Sequence, residues 1–212
     1  MNKLIVFDVD GTLIRGNSWL SLNLAAGITK DEDYALYKAY GEGTLTYDDW
    51  TKELVRLYKE RGVLNKSVAE SALTTYELVP GATELINKLH ELDFQTAIIT
   101  GSFDITAEAI KNELGLTYVR AVSSLSFDSE GEFKTIVSKG EEGYAKVALL
   151  ESLCNELGIT PKDCVCIGDG GNNIKLFKAT GHGMTFTSSS DEVKQYAEHT
   201  VDSLSDILMV LT

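Results

Sequence analysis

Near-continuous apolar runs recur along this chain, separated by stretches of helical period. LIVF at 4–7, TAIIT at 96–100, CVCIG at 164–168 and GMTF at 183–186 each end in polar residues or glycine. Runs of this kind predict strands buried on both faces, and so a parallel sheet covered by helices on either side. Between them, 103–114 is closed by Gly115 and 144–157 by Gly158. Glycine is the residue that most readily takes the left-handed conformation at a helix end.

The stretch 15–78 breaks the alternation. It contains no clear strand run and predicts four helices, at 18–26, 31–40, 47–61 and 66–76. In the third, Thr46 is placed to cap, Asp49 takes the third helical position, and Trp50, Leu54, Leu57 and Tyr58 form one apolar stripe. So long a helical segment exceeds an ordinary crossover. It predicts a helical cap domain at 15–78, inserted after the first strand of an α/β core formed by 1–14 and 79–212. A second insertion is expected after Gly115. SSLSFDSEGEFKTIV alternates apolar and polar residues on both sides of Asp128–Gly131, the pattern of a β-hairpin, and suggests a small flap beside the site. The expected fold is thus a Rossmann-like parallel sheet flanked by helices, with an inserted cap and a hairpin flap.

Charge and cysteine usage narrow the classes of function. Lys and Arg number 19 against 32 Asp and Glu, a formal net charge of −13. Such a surface repels nucleic-acid backbones and anionic membranes, so neither is expected as a partner. A small anionic substrate needs a local positive site. Cys154, Cys164 and Cys166 are sparse and odd in number, which predicts free, buried thiols in a reducing compartment. The first residues read as a strand rather than a signal peptide, and no apolar run reaches the roughly 20 residues of a membrane helix. The expected location is the cytoplasm.

Ligands of open parallel sheets bind beyond the carboxyl ends of the strands. Asp8 and Asp10 stand there after the first strand, Thr100, Gly101 and Ser102 after the second, and Asp169 after the third. Asp8 and Asp10 share the period of a strand and can face the same way, one as nucleophile and the other as proton donor. Gly11 permits a close turn, and Thr12 is placed to brace the carboxylates. Three carboxylates meeting at one edge repel one another, and an oxygen-only ligand set favours a hard divalent cation such as Mg²⁺. His90, His182 and His199 have no spacing for a metal site or a triad.

FDVDGTL resembles the signature of the haloacid dehalogenase superfamily, and the rest of its motifs follow in order. They are IITGS at 98–102, Lys146 in GYAKVALL, and GDGGNN at 168–173. The phosphoserine-phosphatase-like branch is the nearest, with its helical cap, its GSFD after the second strand and its flap hairpin. The resemblance implies that Asp8 is phosphorylated and that Asp10 is the acid–base. It implies that Thr100 and Lys146 neutralise the phosphoryl group beside the amides of Gly101 and Ser102. Asp8, Asp169 and the main-chain carbonyl of Asp10 would hold Mg²⁺, and Asn172 and Tyr47 would touch the substrate. Three positions depart from the branch. Asn173 stands for its final aspartate, Asn17 for the glutamate that holds the serine amine, and Leu54 for the cap arginine that holds the serine carboxylate, with Lys52 and Arg56 close by in sequence. The implied activity is Mg²⁺-dependent hydrolysis of a small phosphorylated metabolite, such as a phospho-alcohol, an amino alcohol phosphate or a nucleoside monophosphate, through a phosphoaspartyl intermediate. Phosphoserine phosphatase proper and a non-catalytic phosphometabolite-binding protein are the alternatives.

Overall fold

The structure, a computed structural model, describes residues 4–211. In chain order, β1 (Leu4–Phe7) and a two-residue β2 (Ile14–Arg15) lead into four helices, α1 (Ser18–Ala25), α2 (Lys30–Gly41), α3 (Tyr47–Arg61) and α4 (Lys66–Leu73). Then come β3 (Glu77–Leu78), α5 (Ala82–Glu91), β4 (Gln95–Phe103), α6 (Asp104–Leu114), β5 (Tyr118–Phe127), β6 (Phe133–Ser138) and α7 (Glu142–Leu157). The chain finishes with β7 (Cys164–Ile167), α8 (Ile174–Thr180), β8 (Gly183–Phe186), α9 (Asp191–Lys194), β9 (His199–Val201) and α10 (Ile207–Leu211).

Seven strands form one sheet in the order β6-β5-β4-β1-β7-β8-β9. Every pairing in it is parallel except β5 with β6. The central strands alternate between two cores. Ile5, Phe7, Ile98, Val165 and Ile167 pack on one face with α5 and α6. Leu4, Val6, Ala97, Ile99, Cys164 and Cys166 pack on the other with α7 and α8. Burial on both faces is why these runs carry no polar alternation. All three cysteines are buried and free.

The helices α1 to α4 form their own layer. Trp19, Leu22, Trp50, Leu54 and Tyr58 pack together there, and Phe103 and Ile136 from the sheet side join them. Helix α3 spans the expected residues, with the Thr46 hydroxyl accepting from Asp49 N. Helix α4 stops at Leu73, three residues short of the expected end. The Thr106 hydroxyl takes the Leu73 carbonyl, and Thr74 and Thr75 bond back to Glu70 and Ser71.

The strand pattern differs from expectation in four places, one of them β9, a three-residue edge strand parallel to β8 that the apolar runs do not announce. β2 and β3 pair antiparallel, Ile14 opposite Leu78 and Arg15 opposite Glu77, at the two ends of a stretch expected to lack strands. A two-residue ladder is too short to imprint a period. β4 runs on through Gly101 and Ser102 to Phe103, with a register shift between Thr100 and Phe103. The hairpin is not a separate insertion. Its first strand begins at Tyr118 as a parallel neighbour of β4 and then continues into the antiparallel pairing with β6. Arg120 in its middle hides that part of the pattern, because its guanidinium leaves the sheet to reach Glu156 on α7.

Candidate active site

Register brings three strand ends together. Phe7 lies opposite Ile98 of β4 and Ile167 of β7, and Asp8 N donates to the Ile167 carbonyl at 2.9 Å. Because β1 sits between β4 and β7, the residues after the ends of β1 and β7 and the last residues of β4, from Thr100 on, face one crevice. A cavity of about 610 Å³ opens there toward the helical layer, lined by Asp8, Asp10, Thr100, Gly101, Ser102 and Asp169 among others. Residues far apart in the chain thus converge on the edge where the sequence placed them.

Asp8 is the most constrained of these. Its Oδ1 accepts from Val9 N at 2.8 Å, and its Oδ2 accepts from Lys146 Nζ at 2.7 Å and Asn173 Nδ2 at 2.8 Å. Lys146 has no exposed surface and also donates to Asn173 Oδ1 at 3.0 Å. A buried ammonium is tolerated only when paired in this way. Asn173 therefore bridges Asp8 and Lys146, using its amide as both donor and acceptor, which a carboxylate at this position cannot do. A Cβ on Gly168 would fall 2.4 Å from the Asn173 carboxamide, so the glycine makes room for that bridge.

Asp169 reaches the same point from β7. The Thr12 hydroxyl donates to its Oδ1 at 3.2 Å. Burial, and then the Asp8 charge, push its carboxyl above the usual range. Gly11 has φ of 72°, and a Cβ there would stand 2.2 Å from Asp169 Oδ2; only glycine permits that approach.

Asp10 sits in a drier position. Burial raises its pKa to about 7, against the opposing pull of hydrogen bonds from Ser18. Ser18 N donates to Oδ1 at 2.9 Å and Ser18 Oγ to Oδ2 at 2.7 Å. The Ser18 hydroxyl also bonds the Ser102 hydroxyl, and Ser102 N donates to Thr100 Oγ1 at 3.0 Å. One chain of hydrogen bonds thus ties the acid–base candidate to the Thr100 turn.

Sequence reasoning missed Ser18 and Glu142. Ser18 opens the first helix of the inserted layer, and nothing local distinguishes it from an ordinary helix start. Glu142 did have a signal. It lies four residues before Lys146, hence on the same helix face. Its carboxyl stands against Gly101, where a Cβ would come within 2.4 Å of it, and it accepts from Asn172 Nδ2 at 2.7 Å.

Other expected residues are distributed unevenly. Asn172 lines the cavity, and so does Asn17, whose side chain also caps α1 by accepting from Leu20 N. Tyr47 is not a cavity residue. It is buried between the helical layer and the hairpin, with its hydroxyl 3.4 Å from Ser123 Oγ and 3.3 Å from Ser138 Oγ. The apolar stripe that makes α3 amphipathic turns Tyr47 inward. Leu54 is fully buried in the same stripe. Arg56 pairs with Glu53 and Glu60 at the surface, and Lys52 lies 4.0 Å from Asp49; neither lines the cavity.

The donor set suits a hard divalent cation. Asp8, Asp169 and the Asp10 carbonyl offer oxygen only. Among the described residues no group of three or more His, Cys, Asp or Glu side chains is placed to hold a metal ion by itself. An ion here would draw the rest of its shell from main-chain oxygen, water and phosphate, the habit of Mg²⁺.

Comparison with known proteins agrees with this arrangement. A family profile for haloacid dehalogenase-like hydrolases matches residues 2–181. The phosphoserine phosphatase of Methanocaldococcus jannaschii is 32% identical over 190 residues, covering 87% of this chain and 85% of that protein. The phosphoserine phosphatase of Archaeoglobus fulgidus is 28% identical over 199 residues, covering 94% of this chain and 56% of that one. Among solved structures, a phospho-aspartyl intermediate analogue of phosphoserine phosphatase superposes with a TM-score of 0.83 at 29% identity, over 99% of this chain and 98% of that one. Motif order, strand-end geometry and whole-chain similarity agree, and the chain belongs to the haloacid dehalogenase-like hydrolases, as a phosphoserine-phosphatase-like member.

Proposed function

We propose that this protein is a Mg²⁺-dependent phosphatase that hydrolyses a small phosphomonoester through a phosphoaspartyl intermediate on Asp8. The observation that carries the reading is the convergence of Asp8, Lys146 and Asp169 beside Thr100 and Gly101, at the carboxyl edge of three adjacent strands.

In this reading Asp8 Oδ attacks phosphorus in line while the P–O bond to the alcohol breaks. Lys146 and Asn173 hold the carboxylate in place and leave it no freedom to rotate away. Asp10, with a pKa near neutrality, gives its proton to the departing alkoxide. It then takes a proton from the water that cleaves the acyl phosphate, which regenerates Asp8 and releases inorganic phosphate. Ser18 orients Asp10 for both transfers. Thr100, the amides after it and Lys146 stabilise the charge on the equatorial oxygens. Asp8, Asp169 and the Asp10 carbonyl would hold the Mg²⁺; bound there, it offsets the carboxylates' mutual repulsion and polarises the phosphoryl oxygens. Residues 15–78 act as the cap that excludes bulk water from this chemistry. Three free, buried thiols fit the cytoplasmic setting expected from the sequence.

The test is hydrolysis of p-nitrophenyl phosphate. We expect turnover with Mg²⁺, its loss in EDTA and its loss in Asp8→Asn. Turnover that survives either treatment refutes the mechanism.

A further inference from the structure

The catalytic carboxylates account for only part of the charge around the cavity. Asp33, Glu141, Glu142 and Glu192 line it too, and among the described residues no lysine or arginine does. Glu141 has Lys175 at 3.8 Å. Asp33, Glu142 and Glu192 have no cationic side chain within 4 Å among the described residues. Asp33 and Glu142 are held by neutral amides instead. Asn23 Nδ2 donates to Asp33 Oδ1 at 2.6 Å, and Asn172 Nδ2 to Glu142 Oε2. Asn23 is itself fully buried and takes the Tyr58 hydroxyl, so the position of Asp33 is built into the cap core.

The rest of the wall is aromatic. Trp19 and Trp50 lie with ring centroids 4.7 Å apart, and Tyr40 stacks on Trp50 at 5.8 Å. Tyr37 stands at the rim. Trp19 Nε1 is the one buried side-chain polar atom without a hydrogen-bond partner among the described residues.

Aromatic rings beside carboxylates that outnumber the nearby bases, Lys146 behind Glu142 and Lys175 beside Glu141, attract an organic cation. A substrate carboxylate placed here would meet like charge with no base to offset it. A neutral alcohol would leave the carboxylates without a counter-charge. We infer, on the basis of the phosphatase reading above, that the leaving alcohol carries an ammonium or quaternary ammonium group and no carboxylate. The substrate is a phosphorylated amino alcohol of the ethanolamine–choline type. Hydrolysis gives the free amino alcohol and inorganic phosphate, water supplying the oxygen.

The decisive comparison is between phosphocholine and its uncharged carbon isostere, 3,3-dimethylbutyl phosphate, with O-phosphoethanolamine, phosphoserine and p-nitrophenyl phosphate alongside. With Mg²⁺, we expect kcat/KM for the two cationic esters to exceed that for the isostere and for phosphoserine by about tenfold or more, the factor for one well-placed charge interaction. Binding gives a second readout, because both tryptophans of the chain, Trp19 and Trp50, belong to the cavity wall. In EDTA, fluorescence titration of the unmodified protein should show phosphocholine binding more tightly than the isostere. Asp33→Asn and Glu142→Gln should each narrow that gap. Equal handling of phosphocholine and the isostere, a preference for phosphoserine, or a gap that neither substitution changes overturns the inference. If no ester is hydrolysed, p-nitrophenyl phosphate included, while phosphocholine still binds preferentially, the phosphatase reading falls and the cation site stands.

Discussion

At the strand edge, Asp8 accepts three hydrogen bonds within 2.8 Å, one of them from a lysine with no exposed surface. Across the cavity, Asp33 takes one amide, and its neighbour Tyr37 is 62% exposed. The two walls enclose the same space under different constraints. Charge that must be stabilised at a developing transition state is worth most when its partners are fixed and dry beforehand. A wall that admits and releases a substrate cannot be buried throughout in the same way: Trp19 and Trp50 are packed into the helical core while Tyr37 stays open.

Substitutions can break or sharpen this contrast. The largest effect belongs to Asp8→Asn, where kcat measured with Mg²⁺ should fall by about 10⁴ or more, as for other removed nucleophiles. Lys146→Ala should follow, with a loss of about 10² to 10³ in kcat, the range for one preorganised donor. On the cap side, Leu54→Ala removes a fully buried side chain from the α3 stripe; it should cost about 2–5 kcal/mol in denaturant unfolding. Ser18 belongs to both walls, since it starts α1 and holds Asp10. Ser18→Ala should reduce kcat by about tenfold through a misplaced Asp10, consistent with losing one hydrogen bond to a charged group. Arg56→Ala should have the smallest effect. Among the described residues its guanidinium pairs with Glu53 and Glu60 alone, so kcat/KM for phosphoserine should not change. A large rise in KM there would mean that the helical layer closes in a way that carries Arg56 into the cavity.

The strand edge was legible in the sequence because its signals are local. Four-residue apolar runs end in Asp8 and just before Asp169, and a parallel sheet gathers such ends whatever the chain between them does. The hairpin was half legible: its antiparallel arm alternates cleanly, whereas Arg120 masks the parallel arm that joins it to β4. Helices α1 to α4 were legible as helices, but not as a surface. Tyr47 and Trp50 both belong to the α3 stripe, yet only Trp50 lines the cavity. Periodicity identifies an inward face without saying which of its residues reach an edge of the core.

By itself, the sequence determined the two-faced burial of the strands, the helical character of the stretch between β1 and α5, and the place of Asp8, Asp10 and Asp169 beyond strand ends. Each follows from a period or a run length within a few residues. Tertiary structure alone decided that Asn173 bridges Asp8 to Lys146, that Ser18 holds Asp10, that Tyr47 turns away, and that Asp33 and Glu142 line a cavity without a salt-bridge partner among the described residues. Those relations join residues up to 165 positions apart. They depend on how whole elements are packed against one another, and no local pattern of side chains carries that information.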